Sequence, residues 1–325
     1  MPIPLARAQA HIAHWTPKLP SRNWWPNHLF FAAHVSAAAD IIRAGQLICR
    51  RDLAGAIGHD IANQDALGTN PAAHNYVRLY FRPKTVFHMR TEGIKLRADH
   101  FRLPAHMSVP VIFVFDLTKV VTRPNVHFCG RKMAHVGIVP GNDQNYFDAI
   151  DFERVYHDSA TSALERAEIH DRRMAEVLIP DALPLAEALS MIICRTNFDA
   201  ETLKHLVGNL DPIWWKKLRV STKPAEMFFC WGSYITDLQL QDNALTLKVK
   251  SARDYKPGDM FKFNLVQYRR SKPPLVWNQE KALSDRSLLL RGWDTDHNYD
   301  WLIELEVALA FRGPIPVSQT TVVGG

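Results

Sequence analysis

Apolar positions divide this chain into two textures, with the change falling near Asp211-Pro212. Before it, short apolar runs alternate with stretches of helical spacing; after it, short alternating runs are separated by turn residues. In the first part, residues 31–35 predict a strand ending at His34 or Val35. Ser36 then reads as an N-cap, followed by a brief helix with Gly45 at its C-terminus. Residues 74–81 carry aromatics at period two until Pro83 breaks the strand. Residues 109–115 read as a buried strand ending in the Asp116-Leu117-Thr118 turn. Val177, Leu178 and Ile179 form a short buried strand closed by Pro180, fed by a charged helix over residues 162–173. A further helix is expected over 200–207, capped by Asn197 or Asp199.

Beyond Pro212, residues 227–234, 238–249, 261–268, 287–290 and 301–309 read as strands of an antiparallel sandwich or small barrel. The first 27 residues show no sustained period and read as an arm laid across the surface. The expected organisation is an N-terminal arm over 1–27, a domain over 28–212 and a β-sandwich-like accessory domain over 213–325. The fold class is α+β.

Composition changes this picture little. A hydrophobic share of 47% with 22% charged residues is that of a water-soluble globular chain, and no apolar run is long enough to span a membrane. The four cysteines lie far apart, which suits free thiols in a reducing cytoplasm and a cytoplasmic protein. None of the 15 histidines sits in a ligand frame, so no metal site is expected. A net charge of +6 admits a nucleic-acid partner without requiring one. Trp214-Trp215-Lys216-Lys217 could stack and pair with a single strand, but paired tryptophans are more often buried in a seam.

One residue stands out chemically. Glu176 enters the apolar strand before Val177, where a carboxylate is costly to desolvate without a partner or a role. Taken alone, an ordinary strand-edge glutamate is the commoner case. The long Gly-, Asn- and Asp-punctuated loop over 51–73 and the irregular stretch over 130–144 add two candidate binding loops.

The order of His-bearing strand, short helix, aromatic strand and late Glu-bearing strand resembles ADP-ribosyltransferases. More narrowly, "AHVSAAADIIRAGQL", "HNYVRLYFRPKTV" and "AEVLI" resemble the DarT motifs "THxxNLxxILxxGxL", "HDYVPFYFxPRSP" and "AEFLV". The segments "YVRLYFRPKT", "EGIK", "VYHD" and "IICRTN" are closest to the guanine-directed branch. The similarity spans roughly residues 28–211.

This resemblance implies an ADP-ribosyltransferase-like split β-sheet core with helices, followed by β-rich structure. It implies NAD as substrate, without a metal, and a nucleobase of single-stranded DNA, guanine in this branch, as acceptor. It further implies a toxin of a toxin–antitoxin or phage-defence system, paired with an antitoxin that removes ADP-ribose. Glu176 would be catalytic, aided by Arg51. NAD contacts would fall to Ala33, His34, Ser36, Asp40, Ile48, Arg51 and Tyr76, and nucleic-acid contacts to Arg50, Lys84, Arg172 and Arg173. The chain also departs from the family. Its His-x-Thr falls on Phe31-Ala32-Ala33, and its loop Arg has no counterpart between Leu53 and Ala73, leaving Arg50 and Arg51 nearest. Lys84 stands where the family has Arg, which keeps the charge and loses the bidentate fork. The rival readings are the same chemistry on RNA and a nucleic-acid-binding protein whose NAD pocket has decayed.

Overall fold

The computed structural model describes residues 2–53, 70–96, 106–133, 135–209, 212–253, 258–282, 287–294 and 299–315. Among these, β1 (His28–His34), β2 (Gln46–Ile48), β3 (Tyr76–Tyr80), β4 (Pro110–Asp116) and β5 (His127–Cys129) come first. They are followed by β6 (Glu176–Pro180), β7 (Ala182–Pro184), β8 (Leu189–Cys194) and β9 (Leu218–Val220). Seven of them form one sheet in the order β5-β6-β3-β1-β4-β8-β9, while β2 and β7 pair beside it. The apolar run Val111 to Phe115 explains why β4 sits centrally: both of its faces are buried, as for any strand covered on two sides.

The sheet is split. β1 pairs with β4 from His28↔Asp116 to His34↔Pro110, yet meets β3 at Phe30↔Tyr80 alone. Beyond that pair the two strands part, toward His34 on β1 and toward Tyr76 on β3. The split-sheet core expected from the sequence is present.

Three local readings need correction. The N-terminal segment carries a helix, α1 (Leu5–Trp15), whose buried face is Ala8 and His11. His11 places Nε2 2.9 Å from the Tyr156 hydroxyl, and burial, aided by the charge of Arg7, holds its pKa down to about 3, so it stays neutral. The Asp116 turn is the cap of a helix, Leu117–Val121, with the carboxylate accepting the Lys119 N–H. The helix α2 (Val35–Ala44) is capped by His34 rather than Ser36: His34 Nδ1 accepts the Ser36 N–H at 3.2 Å. Gly45 closes it at φ 67°, as its position predicts.

The later part of the chain is β-rich, as expected. Strands β10 (Tyr234–Gln241), β11 (Ala244–Lys250), β12 (Met260–Tyr268) and β13 (Leu275–Ala282) are followed by β14 (Ser287–Arg291), β15 (Asp300–Leu305) and β16 (Ala308–Pro314). They form the sheets β10-β11-β14 and β13-β12-β15-β16, which share a core including Leu238, Leu247, Phe263, Trp301 and Ile303. The segment read as one strand over 238–249 is a hairpin turning at Asp242-Asn243, both at positive φ. The strand read over 227–234 is absent. A short helix, Pro224–Met227, leads into extended chain, because the N–H groups of Phe229 and Cys230 go to the buried carboxylate of Glu92. β9 belongs to the first sheet, and the first core continues to Phe228 and Tyr234.

The later sheets are bonded to the first core at several points. Ile94 bridges Ser233, the Ser108 hydroxyl donates to the Leu309 carbonyl at 2.6 Å, and the Arg312 N–H donates to Thr202 Oγ1 at 3.1 Å. Gly93 and Gly232 meet back to back beside the first of these. A Cβ on Gly93 would lie 2.7 Å from Gly232 Cα, and the residue has φ +82°. Gly93→Ala should therefore cost about 2–4 kcal/mol in urea unfolding, from steric overlap and left-handed backbone together. A loss below about 0.5 kcal/mol would mean that the two segments separate freely.

Candidate active site

Glu176 begins β6 with Tyr80 of β3 on one side and Cys129 of β5 on the other. Directly opposed residues share a face, so Glu176, Tyr80 and Cys129 look the same way. Arg78 and Tyr76, at period two along β3, join them. Ala73, Cys129, Met133 and Leu178 form a small apolar cluster on this side. The opposite face, with Val77, Leu79, Phe81 and Val177, belongs to the main core. Phe81 is thus a packing residue, as its alternation suggests.

The carboxylate of Glu176 is fully buried. Its Oε2 accepts the Met133 N–H at 3.0 Å. Its Oε1 accepts no hydrogen bond, and Arg78 Nη1 stands 3.6 Å from it. A buried acceptor left open in this way is expensive to keep. Burial, and then the charge of Glu176, push the Tyr80 phenol up, so Tyr80 stays protonated beside the carboxylate. Burial pushes the Cys129 thiol up to about 12, so this cysteine is no nucleophile at neutral pH. Lys132 is held low chiefly by burial, with the Glu176 charge opposing.

The end of the strands that carries Glu176 is braced by buried arginine. Arg82, one residue beyond the Pro-terminated aromatic run, donates to the carbonyls of Val155 and His157 and pairs with Asp158 at 2.6 Å. Arg173 donates to His157 O at 2.8 Å and to Ser159 O at 3.0 Å. Together they fix the 157–159 loop against the start of β6.

The other expected contact residues are distributed as follows. Both ring nitrogens of His34 are engaged internally: Nδ1 accepts from Ser36, and Nε2 lies 3.3 Å from Ser108 Oγ. With Nδ1 accepting, Nε2 carries the proton, and the Ser108 hydroxyl passes the chain on to Leu309. The imidazole is a cap and a strut. What remains at this step is the main chain of Ala33 and His34, where β1 has parted from β3, and the half-buried Ser36. Asp40 is exposed and paired with Arg43 at 2.5 Å. Ile48 is half-buried on β2 opposite Ala182, and Tyr76 packs edge-on against His127 at the far end of β3.

Arg51 is not brought to Glu176. Its guanidinium holds Asp52 at 2.8 Å and Asp181 at 2.6 Å, and Asp181 follows the last residue of β6. Asp181 lies five residues along the chain from Glu176, about 17 Å of extended chain. The two acidic neighbours of Arg51 decide this, and among the described residues the cation paired with the carboxylate is Arg78, which the sequence reading missed. On the face of an aromatic strand, Arg78 looks like any solvated residue.

The expected nucleic-acid set is largely committed inside the protein. Lys84 donates to Ala225 O at 2.9 Å over the Phe229 ring, and Arg173 serves the 157–159 loop. Arg172 lies 3.8 Å from Glu168 and is three-quarters covered. Arg50 is half-buried on the turn before Arg51. Trp214 and Trp215 pack against the main core, in line with the seam reading.

Among the described residues, no group of three His, Cys, Asp or Glu side chains is placed to hold a metal, and no helix is long and apolar enough to cross a membrane. No curated protein matches the chain. Solved structures that match the chain include Thermus sp. 2.9 DarT in complex with ADP-ribosylated ssDNA. It is 14% identical with a TM-score of 0.48, over 61% of this chain and 96% of that one. The same Thermus sp. 2.9 protein in complex with NAD+ is 16% identical with a TM-score of 0.46, over 61% and 97%. The family described as "ssDNA thymidine ADP-ribosyltransferase, DarT" matches residues 30–229. These 200 residues contain most of β1, the aromatic strand and Glu176, and the chain belongs to the DarT family.

Proposed function

We propose that this protein transfers ADP-ribose from NAD to a nucleobase of single-stranded DNA, with Glu176 as the catalytic carboxylate. The observation that carries this reading is the open, buried Oε1 of Glu176, one strand from the split in the sheet. The substrate's nicotinamide–ribose bond breaks with positive charge building on the ribose. A fixed carboxylate accepting the ribose 2′-hydroxyl at Oε1 holds the sugar and stabilises that charge. Met133 fixes the other oxygen, so the group needs no reorganisation when charge develops. The attacking atom is a ring or exocyclic nitrogen of the base, whose proton Glu176 can accept. The main chain of Ala33 and His34, together with Ser36, Ile48 and Tyr76, is the proposed remainder of the NAD pocket. The intact carboxylate site favours this enzyme over a decayed binding protein.

Guanine is the proposed base, on the strength of the sequence segments shared with that branch; the family's own description says thymidine. A toxin role, with an antitoxin that removes the ADP-ribose, belongs to the same reading. The test is incubation with NAD labelled in its ADP-ribose half and single-stranded DNA oligonucleotides that differ in one base, alongside RNA of the same sequences. Label should appear on DNA containing guanine and vanish from oligonucleotides lacking it. Label confined to thymine-containing DNA would overturn the base assignment. Label on RNA alone, or on neither, would overturn the reading itself.

A further inference from the structure

We propose that Arg78 is the positioning cation of Glu176, the residue that balances the charge of this buried carboxylate and keeps it aimed while leaving its reactive oxygen open. The inference rests on the proposed role of Glu176 and extends it to a second residue.

Geometry supplies the first argument. Arg78 and Tyr80 are two residues apart on β3 and face the same way, and Tyr80 is the direct cross-strand partner of Glu176. Arg78 thus sits diagonally across from the carboxylate, the separation a long side chain spans. Its Nη1 is 3.6 Å from Oε1, close enough to neutralise charge and too far for a hydrogen bond. The distinction matters. An arginine bonded in bidentate fashion would consume the acceptor that the ribose hydroxyl needs. At 3.6 Å the guanidinium sets its charge opposite the carboxylate while Oε1 keeps its lone pairs.

The commitments of other cations among the described residues supply the second. Arg51 is held by Asp52 and Asp181 at the far end of β6. Residues 54–69, outside the described residues, contain neither Lys nor Arg. Lys132 feels the Glu176 charge, but burial holds its own pKa below the usual lysine range, whereas a guanidinium stays charged. Arg173 is bonded to the 157–159 loop.

Location supplies the third. The Arg78 side chain is one-quarter exposed while Glu176 is wholly buried. Arg78 lies on the stretch of β3 that has parted from β1, beyond Phe30↔Tyr80. The family's aromatic-strand motif "HDYVPFYF" has proline at this position, so the arginine is a departure from that motif.

The experiment uses the full-length protein with Arg78→Met, Arg78→Lys and Arg78→Ala. Three quantities are read: affinity for NAD by calorimetry, turnover in NAD hydrolysis, and turnover in transfer to the oligonucleotide. A positioning role predicts that Met lowers kcat about 100-fold while KM for NAD changes less than about 3-fold. Lys should retain about one-tenth of wild-type kcat, and added guanidinium ion should restore part of the Ala variant's turnover. Wild-type kcat in the Met variant, or a loss confined to KM, would overturn the proposal; the second result would make Arg78 a phosphate ligand. Should Met and Ala fold poorly, the kcat-to-KM division in the Lys variant decides alone. Hydrolysis of NAD without transfer to any nucleic acid would sink the functional reading, and the hydrolysis rates of the variants would still decide the role of Arg78.

Discussion

Glu176→Gln should reduce ADP-ribosyl transfer by at least about 10²–10³-fold with NAD affinity nearly unchanged. The amide oxygen can still accept the Met133 N–H, so the strand and its neighbours have no reason to move. What disappears is the negative charge against which ribose charge develops, an interaction made in the transition state more than in the bound substrate. Stability should move the other way. The carboxylate is fully desolvated, accepts the Met133 N–H, and among the described residues has Arg78 at 3.6 Å, a poor return for burial. A neutral isostere should leave Tm unchanged or raise it by a few degrees, as happens when an active site holds a group the fold would rather be without. Turnover within tenfold of wild type would remove Glu176 from the chemistry. A fall in Tm of more than about 5 °C would make it a structural residue instead.

The sequence made some of this site visible and hid the rest, for identifiable reasons. The Glu176 strand was legible because Val177, Leu178 and Ile179 are buried and Pro180 ends the run. The α2 helix was legible from Gly45, whose φ of 67° only a glycine takes cheaply, but its cap was misread, because a histidine accepting at Nδ1 did what Ser36 was expected to do. Helix α1 was invisible, since its buried face is Ala8 and His11 and an apolar stripe has almost nothing to count. β13 was missed for the opposite reason: Leu275–Ala282 is mostly exposed and so lacks alternation. The strand read over 227–234 failed because an acceptor distant in sequence, Glu92, captured the two main-chain donors a strand would have used. Arg78 and Arg51 show the general limit. Charge is visible in a sequence, but which carboxylate it meets is set by register, here Tyr80↔Glu176 for one and the end of β6 for the other.

The second large effect is expected at Asp199, far from the reacting atoms. Asp199 and Arg195 are each 1% exposed and joined by two contacts, Nε to Oδ2 at 3.1 Å and Nη2 to Oδ1 at 3.4 Å. The same Nη2 donates to Ser108 O at 3.2 Å, and the guanidinium lies 4.1 Å from the Tyr234 ring centre. Removing the carboxylate strands a buried guanidinium, whose other donor, Nη1, already has no partner. Breaking a buried pair in this way typically costs about 3–5 kcal/mol, and the buried Glu92, which feels the Arg195 charge, should keep Asp199→Ala near the lower end. At about 2–4 °C per kcal/mol, Tm should drop by roughly 6–12 °C. The damage should also reach the site, because Arg195 holds the backbone of Ser108, and the Ser108 hydroxyl sits between His34 and Leu309. A weaker NAD affinity should therefore accompany the lower Tm, while transfer at saturating NAD falls far less than in Glu176→Gln. Replacing both members, Arg195→Met with Asp199→Leu, separates the two consequences. With no charge left unpaired, Tm should recover most of its loss. NAD affinity should not, since the donor to Ser108 is gone. Full recovery of both would mean that the ion pair stabilises the fold without aligning the pocket, and an Asp199→Ala protein melting within about 2 °C of wild type, less than one kcal/mol of loss, would mean that water reaches Arg195 in solution.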